Sequence, residues 1–296
     1  MGAGPAAVMT PAVALRLGRV SNLPTVWTNA LAGIALAGVS PWHWATLPAA
    51  AGLSLTYVGG MYLNDAFDRG IDARERPDRP IPAGQADPNT VFVLGFGMLL
   101  GGAALLLLAA CAFDVPAEWS VLASLALGGA VLAYNWHHKG NPLGPLWMGT
   151  CRLLAYCAAG LAAAASLPPA LLAGALVSLC YLIGLTYAAK QEMAGRVERF
   201  WPLAFLAVPL AYGALQVREP AGIAGLAGLA LLIGLALRFL LRRRPGDIPR
   251  AVVWLIAGIA VLDAMFLAIA GWPGAAPVAF ACFAATLLLQ RWVRGT

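Results

Sequence analysis

Residues 53–82 read LSLTYVGGMYLNDAFDRGIDARERPDRPIP. An apolar run, Leu53–Leu63, leads without a break into the densest charge of the chain: Asn64, Asp65, Asp68 and Asp72, with arginines interleaved and then two prolines. If one helix continues to residue 72, its turn of 100° per residue places Asp65, Asp68 and Asp72 within an arc of about 60°, with Asn64 at the edge. Three carboxylates on one face repel, and in low dielectric their ionised forms are costly unless cations compensate. A divalent cation is an economical compensation. Mg2+ takes oxygen ligands from one or two carboxylates and from substrate phosphates, and neighbouring arginines would then meet phosphate oxygens. On these residues alone, a solvated loop in which acids and arginines pair across turns is an equal alternative.

Composition decides the surroundings of the motif. The chain is 61% hydrophobic and 11% charged, against roughly 45–50% and about 25% in soluble domains. A lipid-facing surface absorbs that excess and a water-facing one does not. Apolar runs long enough to cross a bilayer recur near 13–39, 45–66, 90–112, 117–135, 144–166, 169–189, 201–217, 221–241, 250–271 and 275–292. With the N-terminus inside, Arg218 alone of the 19 Lys and Arg falls on the outer side, so both termini are expected to be cytoplasmic. Residues 1–12 carry no basic residue, which argues for a retained first span rather than a cleaved signal.

The expectation is one multi-pass membrane domain over residues 1–296, in a bacterial inner membrane. The net charge of +6 flanks spans on one side, which fits orientation and contact with anionic lipid rather than nucleic acid. The five cysteines show no metal or redox spacing and read as packing residues. Tryptophans near span ends, such as Trp42, Trp44, Trp201 and Trp292, read as an interfacial belt.

NDAFDRGID (Asn64–Asp72), followed by RPIPAG (Arg79–Gly84), resembles the first aspartate-rich motif of the UbiA-type membrane prenyltransferase superfamily. There, N-D-x-x-D-x-x-x-D precedes a basic stretch and R-P-[IL]-P-x-G. The matching positions are Asn64, Asp65, Asp68, Asp72, Arg79, Pro80, Ile81, Pro82 and Gly84. The resemblance implies an all-α, polytopic transmembrane bundle of nine or ten spans around a central cavity. It implies Mg2+-dependent transfer of a prenyl group from a prenyl diphosphate to a lipophilic acceptor within the lipid bilayer, with Asn64, Asp65, Asp68 and Asp72 as metal ligands.

A second motif of the D-x-x-x-D kind should follow the sixth span. The stretch there, TYAAKQEMAGRVERF (Thr186–Phe200), contains no aspartate. Lys190, Gln191 and Glu192 stand where the acids belong. Glu192 is left as the metal ligand on that side, with Glu198 beyond it, and Lys190 as a direct phosphate contact. The implied catalytic set is therefore Asp65, Asp68, Asp72, Lys190 and Glu192. Together with LGRVSNLPTVWTNALAG (Leu17–Gly33), TYAAKQE resembles an EboC-like branch of the superfamily.

The substrate-binding set is Asn22, Arg79, Lys139, Arg152 and Tyr187. Asn22 and Tyr187 resemble family positions near the diphosphate, and Tyr134 and Lys139 match the family in type. Arg152 begins a span close to the membrane, where an ionised side chain faces a cavity or snorkels to the headgroups. His137 and His138 point about 100° apart on a helix and read as loop or interface histidines. Asp263 is an isolated acid in mid-span, either hydrogen-bonded within the bundle or facing the acceptor. The degenerate second motif keeps two further readings in play: a terpene cyclase-like homologue, and a non-catalytic prenyl-diphosphate or lipid binder or carrier.

Overall fold

Pro24 decides how the chain starts. A proline has no N–H to donate and clashes with the carbonyl four residues earlier, so a helix cannot run through it from Val20. The sequence predicts one span over 13–39; the computed structural model instead shows two helices, α1 (Pro11–Leu17) and α2 (Leu23–Leu36). Between them lie Gly18, Arg19 in the left-handed region (φ 43°, ψ 47°) and a 3-10 turn, Val20–Asn22. The structure describes residues 9–194, 200–242 and 244–293, the side chains of 192–194 excepted.

The rest follows as α3 (Thr46–Glu75), α4 (Pro88–Ala112), α5 (Ala117–His137), α6 (Gly144–Ala163), α7 (Pro169–Ala194), α8 (Ala207–Gln216), α9 (Pro220–Arg242), α10 (Asp247–Ile269) and α11 (Ala276–Leu289). Among the described residues there is no strand. Six helices, α4 to α7, α9 and α10, are long and apolar enough to cross a membrane by length and composition. The 201–217 stretch divides into a 3-10 turn, Trp201–Leu206, with Pro202 at its start, and α8, which carries Pro209 in its first turn.

The element that positions the charged motif is α3. Its 30 residues make it about 45 Å long, well beyond the roughly 30 Å of a hydrocarbon core. The acidic end is therefore held past the apolar stretch by continuous helix, where the sequence ends the span at 66. Small residues let α4 lie close against α3. A Cβ on Gly52 would come within 2.8 Å of the Gly102 carbonyl, and one on Gly59 within 2.7 Å of the Gly95 carbonyl. Such small-residue seams replace a hydrophobic driving force between helices in lipid. The centre of the bundle is α10, buried along almost its whole length, with α2, α7, α9 and α11 packed around it.

Candidate active site

Because α3 runs unbroken to Glu75, Asn64, Asp65, Asp68 and Asp72 share its inward face, as the 100° periodicity requires, and all four are buried. A solvated loop is thereby ruled out for them. Each acid has cationic neighbours. Asp65 accepts from Arg79 Nη1 at 2.6 Å and Arg19 Nη2 at 3.1 Å. Asp68 faces His138 Nε2 at 3.2 Å and Lys139 Nζ at 3.6 Å. Asp72 has Lys139 at 3.6 Å and Arg79 at 3.7 Å, and Glu75 has Lys139 at 3.8 Å. Asn64 accepts from Arg19 at 3.2 Å and donates to Asn135, which donates in turn to the Gly60 carbonyl.

Arg79 reaches back to the acids through the turn that follows α3. Pro80 and Pro82 forbid a helix there, and Gly84 takes the left-handed conformation (φ 70°) that closes the turn. The Gln85 N–H bonds the Pro80 carbonyl, while Ile81 and Ala86 bury against Val13, Leu17 and Tyr62. Arg16 ties the same turn to α1 through Gln85 and the Asp78 carbonyl.

Behind the acids lies a cavity of about 700 Å³ between α2, α3, α5, α6, α7 and α10. Its mouth is polar, with Arg19, Asn64, Asp68, Arg79, His138 and Lys139; its depth is largely apolar, with Met61, Met148, Leu182, Leu185, Ile256 and Ile259. Asn22, Tyr57, Tyr134, Arg152 and Lys190 also line it. Asp65 and Asp72 stand behind this wall.

Lys190 Nζ donates to the carbonyls of Asn141 at 2.8 Å and His138 at 3.4 Å, tying α7 to the loop that carries Lys139. Arg152 faces the cavity and donates to Asn29 Oδ1 at 2.9 Å. Tyr187 packs against the large apolar core instead of the cavity wall. Asp263 is fully buried and bonds Thr28 and Tyr156. The Glu192 side chain and Glu198 lie outside the described residues.

Two residues carry more of this geometry than their sequence reading gave them. Arg19 reads as an orientation charge at the membrane edge, but the helix break at Gly18–Asn22 turns it onto Asp65. Its signal was a glycine before it and a proline five residues after it inside an apolar run. His138 reads as a loop histidine. It stacks on Tyr134 with ring centroids 4.6 Å apart and points Nε2 at Asp68. His137 stacks on Trp136 instead, in keeping with the divergence expected of adjacent positions.

Among the described residues, no three Asp, Glu, His or Cys side chains converge tightly enough to hold a metal ion by themselves. The donor set nevertheless fits a hard divalent ion that completes its shell with substrate oxygens. Both Asp72 carboxylate oxygens are buried without a hydrogen-bond partner. Burial raises the Asp72 carboxyl above the usual range, against the pull of Arg79 and Lys139. A carboxylate so placed is under-compensated and favours a further cation.

A bundle of long apolar helices with its polar chemistry gathered at one end is an integral, multi-pass membrane protein. The chain belongs to the UbiA prenyltransferase family, whose sequence profile matches residues 23–295. It is 31% identical over 224 residues to the digeranylgeranylglyceryl phosphate synthase of Methanopyrus kandleri, covering 72% of this chain and 73% of that one. It is 29% identical over 205 residues to the chloroplastic chlorophyll synthase of Oryza sativa, covering 64% and 52%. The fold is similar to a solved structure described as digeranylgeranylglyceryl phosphate synthase, with a TM-score of 0.59 at 17% identity over 88% of this chain and 98% of that one. It is also similar to a UbiA homologue from Archaeoglobus fulgidus solved with GPP and Mg2+, with a TM-score of 0.56 at 15% identity over 92% and 99%.

Proposed function

We propose that this protein transfers a prenyl group from a prenyl diphosphate to a lipophilic acceptor inside the membrane, with Mg2+. The carrying observation is the junction of two environments: buried acids and cations around Asp68 at the mouth, and an apolar cavity of about 700 Å³ behind them. A lipid tail fits the second environment and a diphosphate the first. Asp68 and Asp72 are the residues to hold Mg2+, with Asn64, Asp65 and, from α7, Glu192 completing the oxygen-ligand set; when bound, the ion neutralises charge on the leaving diphosphate.

Transfer breaks the bond from C1 of the prenyl chain to the bridging diphosphate oxygen, which leaves with the electron pair. A bond from the acceptor to C1 forms, and the acceptor gives up its proton. Arg79, Lys139 and Arg19 are placed to exchange their carboxylate contacts for phosphate oxygens as that charge develops. Lys190 holds the loop carrying Lys139 and has a donor left for phosphate. Asn22 and Arg152 line the wall beyond, with Tyr187 behind it on α7. The apolar depth excludes water from the electron-poor carbon.

We also propose ten membrane crossings in a single domain. The ten are the six long apolar helices together with α2, α3 and the stretches 201–216 and 273–289, which match the remaining sequence spans in position. Both termini then lie on the cytoplasmic side with the basic residues.

The test uses the protein in nanodiscs with geranyl diphosphate, Mg2+ and extracted membrane lipid as acceptor source, following diphosphate release. Asp68→Ala is expected to lower the rate by about 10²–10³-fold, and chelation to abolish release. Tight binding without release in the wild type identifies a carrier instead.

A further inference from the structure

The turn that carries Arg19 is held from two sides, and one of them is the last helix. Asn22 closes the turn: its backbone N–H bonds the Arg19 carbonyl at 3.1 Å. The Asn22 side chain reaches in two directions. Its Nδ2 donates to the Tyr57 hydroxyl of α3 at 3.1 Å, and its Oδ1 accepts from Gln290 Nε2 at 3.0 Å. The Tyr57 hydroxyl in turn donates to the Arg19 carbonyl, at a longer 3.5 Å. Gln290 is the C-cap residue of α11, which packs against α10, α2 and the turn itself. An amide from the far end of the chain thus meets the turn where it passes into α2.

The direction of these bonds is set by Gln290. Its N–H side faces Asn22, and its Oε1 is buried without a hydrogen-bond partner. A buried amide oxygen left unmade is costly, and a methionine of similar shape would avoid that cost. As packing, glutamine is the poorer residue. What it supplies is a donor. With Oδ1 drawn to α11, the Asn22 amide keeps Nδ2 towards Tyr57. Reversed, the amide would present its oxygen to Tyr57, whose hydroxyl proton would turn to it and leave the Arg19 carbonyl. That carbonyl belongs to the left-handed residue of the turn, a conformation that persists where neighbouring bonds over-determine it. Its guanidinium is the one that meets Asn64 and Asp65 at the mouth of the cavity.

We propose that Gln290 is a positioning residue for prenyl diphosphate binding: through Asn22 and Tyr57 it holds the 19–22 turn so that the Arg19 guanidinium stands at the acidic mouth. Gln290 is not part of the cavity lining, whereas Arg19, Asn22 and Tyr57 are. The assignment rests on the prenyl diphosphate reading of the main cavity. It adds a determinant at the end of α11, 268 positions from the residue it holds.

The test measures binding of radiolabelled geranyl diphosphate with Mg2+, and of geraniol, to protein in nanodiscs. Gln290→Met removes the donor at nearly constant shape. It strips one bond from Asn22 Oδ1 but also removes the unbonded oxygen, so the melting temperature should stay within about 2 °C of wild type. Affinity for geranyl diphosphate should nevertheless fall about fivefold, the worth of one hydrogen bond. Geraniol has no phosphate for Arg19 to meet and should bind both proteins alike. In an Arg19→Ala background, Gln290→Met should cause no further loss, because the group it positions is gone. An unchanged geranyl diphosphate affinity, an equal loss for geraniol, or a full further loss in the Arg19→Ala background overturns the assignment. If Gln290→Met does not fold, Tyr57→Phe cuts the same chain on the α3 side and is held to the same three comparisons. A wild type that takes up no geranyl diphosphate is a separate observation; it removes the prenyl diphosphate reading, and this assignment with it.

Discussion

Arg19 is costly to hold where it is. A non-glycine residue in the left-handed region sacrifices about 1–2 kcal/mol, and such strain persists where the surroundings over-determine it. Here those surroundings are Asp65, Asn64 and the Met61 sulfur, all bonded by its guanidinium. Arg19→Gly and Arg19→Ala should therefore separate backbone from side chain. Both lose the contacts to α3 and are expected to weaken prenyl diphosphate binding about 30-fold. The glycine variant should unfold roughly 2–4 °C higher than the alanine variant, since glycine relieves about 1 kcal/mol of strain. Equal melting temperatures would show that the turn is not strained in solution. The acids were legible in sequence because a helix puts i, i+3 and i+7 on one face whatever surrounds it. Arg19 and His138 were not, since their partners lie 46 and 70 residues away by residue number and only tertiary packing brings them to Asp65 and Asp68.

At the scale of the element, α3 and α4 act as one rigid lever beneath the acids. The seam of Gly52 and Gly59 against Gly102 and Gly95 fixes their separation. Gly59→Ala should force the helices apart, because the new Cβ would sit 2.7 Å from the Gly95 carbonyl and 2.9 Å from Met98 Cβ. Overpacking of this kind costs typically about 1–3 kcal/mol, and diphosphate release should fall with the displaced motif. Gly97→Ala, on the open face of α4 with nothing within 4 Å, is the control and should be neutral or slightly stabilising. Thermal unfolding of the two variants checks this directly. Helix positions were readable from the apolar runs, and six of the ten predicted spans find a helix long and apolar enough to cross a membrane. The ends were not. Hydropathy stops at residue 66, whereas α3 continues to Glu75 because ion pairs carry its last turns.

Over the whole molecule, apolar and polar work are kept apart. The largest core gathers around α10, with Leu255, Leu262 and Phe266 among its fully buried side chains. The acidic cluster is anchored separately by the small core of Val13, Leu17, Tyr62 and Val91. A ligand that joins α3 to the loop after α5 should therefore stabilise the assembly as a unit. At 100 times its dissociation constant, geranyl diphosphate with Mg2+ should add about 2.7 kcal/mol. Calorimetry should show a rise in melting temperature that Asp68→Ala abolishes; a rise persisting in that variant places the binding elsewhere.

Gln290, just past α11, donates at 3.0 Å to Asn22, whose amide donates to the Tyr57 hydroxyl on the cavity wall. The two partners are separated by 268 positions. During synthesis, the first helices are laid down long before that amide exists. Until translation has passed residue 290, the nascent protein carries a chamber with one wall unfastened.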